Sequence, residues 1–157
     1  MTATRRVLLV VGTAAAIGIV TFGALVYRAV DVERASAPEA LERFETVQAA
    51  SGTRLPLLTL DDDGNVIRRE APPTQAPRTI RQLKALAYRA DQQRLVSATV
   101  PFWFFKMKGP AAQLALKDTG LDLARLRITA ADLAQHGPGL VINRASANGD
   151  RLLVWTE

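Results

Sequence analysis

The sequence predicts an α+β protein: one N-terminal transmembrane helix, a juxtamembrane helix, then a small, mainly antiparallel sheet covered by two short helices. Three observations carry that prediction. Residues 7–27 form an uncharged run of 21, which as a helix reaches about 31 Å and matches the roughly 30 Å hydrocarbon core of a bilayer. Short stretches of alternating or continuous apolar residues recur after residue 78, as strands require. Between them, Gly109-Pro110, Gly120 and Gly137-Pro138-Gly139 punctuate two short helical patterns, giving the order β-hairpin, α, α, β-hairpin.

The flanks of the uncharged run set its orientation. Arg5 and Arg6 precede it with no acid, whereas Arg28 and Arg34 follow it together with Asp31 and Glu33. Positive charge stays inside, so the N-terminus is expected in the cytoplasm and the C-terminal domain outside it, on a single-pass signal-anchor in the plasma (inner) membrane of a bacterial envelope. A cleaved signal peptide is the rival, since Ala35-Ser36-Ala37 has the small-x-small form of a cleavage site. The length of the run and the charges Asp31, Glu33 and Arg34 before that site argue against cleavage. Within the run, Gly12 with Ala16 and Ala14 with Gly18 form small-xxx-small pairs, which would let two copies pack closely as a homodimer through the span.

Residues 28–77 read as a juxtamembrane helix, a short hairpin and a proline-rich linker. Ser36 as N-cap, Glu39 three residues on and Pro38 in the first turn mark a helix start, and Gly52 its end. Asp61 to Asn65 forms a tight turn between two short strands, read as a free-standing hairpin. Asp61, Asp63 and Asn65 have the spacing of the first EF-hand ligands, but the glycine falls at the wrong position and Pro72 stands where a bidentate glutamate belongs, so no calcium site is expected. Three prolines stiffen residues 71–77.

Residues 78–157 form the small α+β domain. Residues 79–90 and 94–105 make the first strand pair, although Ile80, Leu83, Leu86 and Ala87 also fit a helical face. Pro110 opens a helix that Gly120 closes, and Thr129 with Asp132 caps a second that stops at Gly137. Asn148-Gly149 joins the last two strands.

Composition narrows the function classes. Twenty basic and 15 acidic residues, or 18 and 15 beyond Arg6, give a net charge of only +3 there, and the bases are scattered among acids, so nucleic acid is not an expected partner. The absence of cysteine removes disulfides, thiolate nucleophiles and Cys-ligated metals. With His136 as the sole histidine, no multi-histidine metal site can form, and the residue reads as a helix-end cap. No phosphate-loop, dinucleotide or zinc-peptidase motif occurs; no catalytic residue, metal or cofactor is assigned, and the chain is not expected to be an enzyme.

The most unusual stretch is Phe102, Trp103, Phe104 and Phe105 followed by Lys106 and Lys108. A core strand buried on both faces accounts for it; so does an interfacial patch that meets lipid or a protein partner in a membrane complex. Val100-Pro101, Gly120-Leu121-Asp122-Leu123 and Gly149-Asp150 resemble the pattern of a small bacterial module of membrane-linked proteins of unknown function. That resemblance covers the last 60 residues and implies the fold sketch alone. The expected role is a membrane-anchored binding or scaffolding protein. A secreted binding domain and a membrane-tethered hydrolase built on His136 are the alternatives.

Overall fold

The computed structural model describes residues 30–52, 55–70, 79–106, 119 and 125–157. The element order is β1 (Val30–Arg34), α1 (Ala37–Ala50), β2 (Leu58–Leu60), β3 (Val66–Arg69), β4 (Gln82–Arg89), β5 (Arg94–Pro101), α2 (Phe102–Lys106), α3 (Ala130–His136), β6 (Gly139–Ala145) and β7 (Arg151–Thr156). All seven strands join one sheet in the order β1-β5-β4-β7-β6-β2-β3. Every neighbouring pair is antiparallel except β2 with β6, where Leu58 lies opposite Ile142.

Strand formation follows the period-two pattern, and the sheet is covered on both faces. Leu83, Ala85 and Ala87 of β4 enter one core with Val100, Leu152, Val154 and Ile142, while Leu86 and Tyr88 of the same strand enter a second with Leu95 and Leu153. Leu133 of α3 and Phe102 of α2 close the first face; Ala40 and Phe44 of α1 close the second. Central strands buried on both sides lose the apolar-polar alternation of a half-solvated strand, which is why residues 79–90 also fit a helical face in sequence.

The register gives the sheet two distinct ends. Val30 lies opposite Ala98 and Arg34 opposite Arg94, so β1 starts toward the end where β5 finishes at Pro101. Gln82, Thr156 and Gly139 lie toward that same end, which is called the proximal end below. The three tight turns, at Asp61 to Asn65, Ala90 to Gln93 and Ser146 to Asp150, all lie at the opposite, hairpin end. Helix α1 returns the chain, from Ser36 near Gln93 to a groove beside Pro138 and Trp155.

Several expectations are corrected. The fold is a seven-stranded mixed sheet, not two hairpins with helices over one face. Residues 30–34, expected to be helix-flanking, form edge strand β1, paired with β5 over five residues, with Val30 alone partly buried against the core. The 58–69 hairpin is docked through the β2–β6 pair; strands from both sides of residues 71–78 thus share one sheet. Phe102–Lys106 is a short helix, since Pro101 ends the ladder and the chain turns to bring Phe102 over the core. Among the described residues, no helix is long and apolar enough to cross a membrane, which overturns the transmembrane helix as a part of the observed fold. The run at 7–27, with Gly12, Ala16 and Gly18, lies outside the described residues, as do the helix expected from Pro110 to Gly120 and Lys108. The Thr129 cap is formed: its hydroxyl accepts from Asp132 N at 3.1 Å and the Asp132 carboxylate accepts from Thr129 N.

Candidate functional site

Helix α2 separates the aromatic run by role. Phe102 is 5% exposed and stacks on Phe105, ring centroids 6.3 Å apart, while Phe104 and Phe105 pack half-buried against the core. Trp103 is 58% exposed and meets the edge of the Phe104 ring, centroids 5.8 Å apart. Lys106 places its Nζ 5.4 Å from the centre of the Phe102 ring, so its charge stays beside the helix. Burial therefore claims Phe102 and leaves Trp103 as the exposed aromatic of α2. The segment is a helix and not a strand buried on both faces, with Phe102 buried, Phe104 and Phe105 partly buried and Trp103 exposed.

Beside α2, the proximal end carries Arg81, exposed, and a polar cluster at the end of the chain. Glu157 takes hydrogen bonds from Lys84 Nζ at 2.8 Å and from Trp155 Nε1 at 2.9 Å. Those bonds, from Lys84 first and then Trp155, hold its carboxyl below the usual carboxylate range. The backbone of Glu157 also pairs with Gln82. A groove of about 480 Å³ runs between the C-terminus of α1 and the sheet, past Val47, Ser51, Lys84, Trp155 and Glu157.

His136 is buried at 5% exposure, with Nε2 2.9 Å from the carbonyl oxygen of Leu140. It ties the end of α3 to the start of β6, and Thr156 Oγ1 donates to Gly137 O at 2.7 Å in the same turn. This geometry locks the Gly137-Pro138-Gly139 bend.

At the hairpin end, Asp61 accepts from Asn65 N at 2.7 Å and from Asn65 Nδ2 at 3.1 Å, which lowers its carboxyl below the usual range. Both carboxylate oxygens are thereby turned into the loop. Among the described residues, no group of three His, Asp or Glu side chains could hold a metal ion.

Sequence reading missed one cluster. Arg69 Nη2 donates to Leu126 O at 2.7 Å and Arg127 O at 3.3 Å, with Asp132 3.9 Å away, and Arg125 Nη2 donates to Asn65 Oδ1 at 2.7 Å. Two arginines thus clamp β3 and its turn to the segment before α3. Contacts across 57 to 60 positions leave no local signal.

Comparison of the chain with protein-family models, with curated proteins and with solved structures returns no match. The resemblance of the last 60 residues to a membrane-linked module rests on its short motifs alone.

Proposed function

We propose that this protein is a binding or scaffolding domain held at a membrane surface, with α2 as its contact element. The observation that carries the reading is Trp103: a large aromatic, 58% exposed, on a turn whose other aromatics are seated in the core. A projecting tryptophan with a rigid base loses little conformational freedom on contact and supplies a large apolar area, the economy that makes tryptophan common at binding surfaces. Membrane location is supported by the uncharged run at 7–27 and its basic N-terminal flank. In this reading the N-terminus is cytoplasmic and the sheet lies on the other side. Retention of the N-terminal segment is supported by the fold, because cleavage after Ala37 would detach β1, which pairs with β5 over five residues, and remove the Ser36 cap of α1.

Flotation of cell membranes carrying the full chain tests the reading, together with N-terminal sequencing of whatever floats. An uncut chain in the membrane fraction, resisting carbonate extraction, is the expected result. A soluble chain starting at Pro38 overturns it.

A further inference from the structure

We propose that the proximal end of the sheet rests in the headgroup region of the bilayer, with Trp103 inserted as its anchor and the strands standing away from the surface. The inference rests on the membrane-held reading and adds the partner of α2, the lipid itself, and the orientation of the domain.

The argument starts where residues 1–29 deliver the chain. The uncharged run stops at residue 27 and β1 begins at Val30, and three residues span at most about 10 Å. On the membrane-held reading, Val30 therefore lies within about 10 Å of the membrane surface. β1 pairs with β5 in known register: Val30 lies opposite Ala98, and β5 continues for three more residues to Pro101. At roughly 3.3 Å per residue, α2 begins about 10 Å beyond Val30 along the strand direction, on the side from which the chain enters β1. The element bearing the projecting tryptophan thus lies at the end of the sheet where the chain arrives from residues 1–29.

Its chemistry fits that place. Tryptophan partitions to the headgroup level, where an apolar ring and a polar N–H are both accommodated. Arg81 is exposed one residue before the start of β4, which pairs with Pro101, and Lys106 is exposed at the end of α2. Both cations would meet the phosphates of anionic headgroups there. Of the acids near this end among the described residues, Glu157 is joined to Lys84 and Glu70 to Arg68, and Asp31 stands exposed on β1. The opposite end is unsuited to such contact: its turns present Asp61, Asp62, Asp63, Asp91 and Asp150, interleaved with arginines, and lie the length of an eight-residue strand, about 25 Å, away. A protein covering Trp103 is the competing occupant.

Trp103 and Trp155 are the two tryptophans of the chain, so fluorescence reads the proposal directly. The full chain is reconstituted into vesicles of phosphatidylcholine and phosphatidylglycerol, with or without lipids brominated near the headgroup end of the acyl chain. Trp155→Phe leaves Trp103 as the reporter; should that variant fail to fold, the difference between wild type and Trp103→Phe isolates the same signal. The expected result is Trp103 emission quenched several-fold more than Trp155 by the brominated lipid and shielded from aqueous iodide. Replacing Arg81 and Lys106 by glutamine should weaken the quenching in vesicles containing phosphatidylglycerol and not in pure phosphatidylcholine. A chain that floats with the vesicles while Trp103 stays open to iodide and untouched by bromine overturns the docking and leaves the membrane-held reading intact, pointing to a protein occupant. A chain that does not float overturns both.

Discussion

Phe102 and Trp103 are neighbours with opposite fates, and their substitutions should separate accordingly. Phe102→Ala empties a buried, stacked position and is expected to destabilise the fold by roughly 3–5 kcal/mol, whereas Trp103→Ala should stay within about 0.5 kcal/mol; denaturant unfolding of the full chain in detergent checks both. Thr129→Ala removes the hydroxyl that accepts from Asp132 N and should cost about 1 kcal/mol. Glu157 gives a pH signature. Its carboxyl is held below its ordinary value of 4.5 by Lys84 and Trp155, so its contribution is complete above that value and is lost as pH falls through the lower, folded-state value. The stability gap between wild type and Glu157→Gln should therefore close on acidification below about pH 4.5, and a gap that widens there would refute the pairing. At this scale the sequence was informative for caps: Ser36 with Glu39 and Thr129 with Asp132 are local devices, and both form. It was uninformative for Glu157 and the Arg69 clamp, whose partners are set by which strands become neighbours.

Among the elements, the hairpin turns were legible and the helix-to-sheet joins were not. Asn148-Gly149 makes the turn its residues announce, with Gly149 at φ +88°. A methyl group there would meet Ala90 Cβ at 3.1 Å as well as demanding a left-handed backbone, so Gly149→Ala should cost at least about 1 kcal/mol and lower the unfolding midpoint. Asp150 links this turn to the next, accepting from Ala90 N at 2.9 Å. The edge position explains why β1 escapes sequence reading, while β3 is found from the turn at Asp61 to Asn65. β1 has four of five residues exposed and β3 all four, with Ile67 at 66%, so neither shows the apolar face that marks a strand in sequence. Charged residues at such edges, here Asp31, Glu33, Arg68 and Arg69, also discourage pairing with stray strands. The aromatic run misled in the other direction: four consecutive apolar residues suggest strand continuation, yet Pro101 stops the ladder and packing of Phe102 decides the turn.

For the whole molecule, the sheet order predicts a gradient of protection. β4 and β7 have a strand on each side and two apolar faces, whereas β1 and β3 have one neighbour each. Amide exchange in β4 and β7 should report the global unfolding free energy, and β1 and β3 should open at lower cost; equal protection throughout would contradict the topology. The sequence could suggest α+β and the positions of most strands, but the parallel β2–β6 contact, joining Leu58 to Ile142, is invisible to any local pattern. That contact has a consequence for the chain as it is synthesised. β1 reaches its partner once β5 is made, but the β2–β3 hairpin has no seat until β6, whose Ile142 comes 84 positions after Leu58, and then β7 have been added. During that interval Leu57, Leu58 and Leu60, all buried in the finished fold, have nothing to cover them. A nascent chain stopped short of residue 139 should therefore hold a folded β1-β5-β4 core and a sticky, unhoused hairpin, the state in which this protein most needs a chaperone.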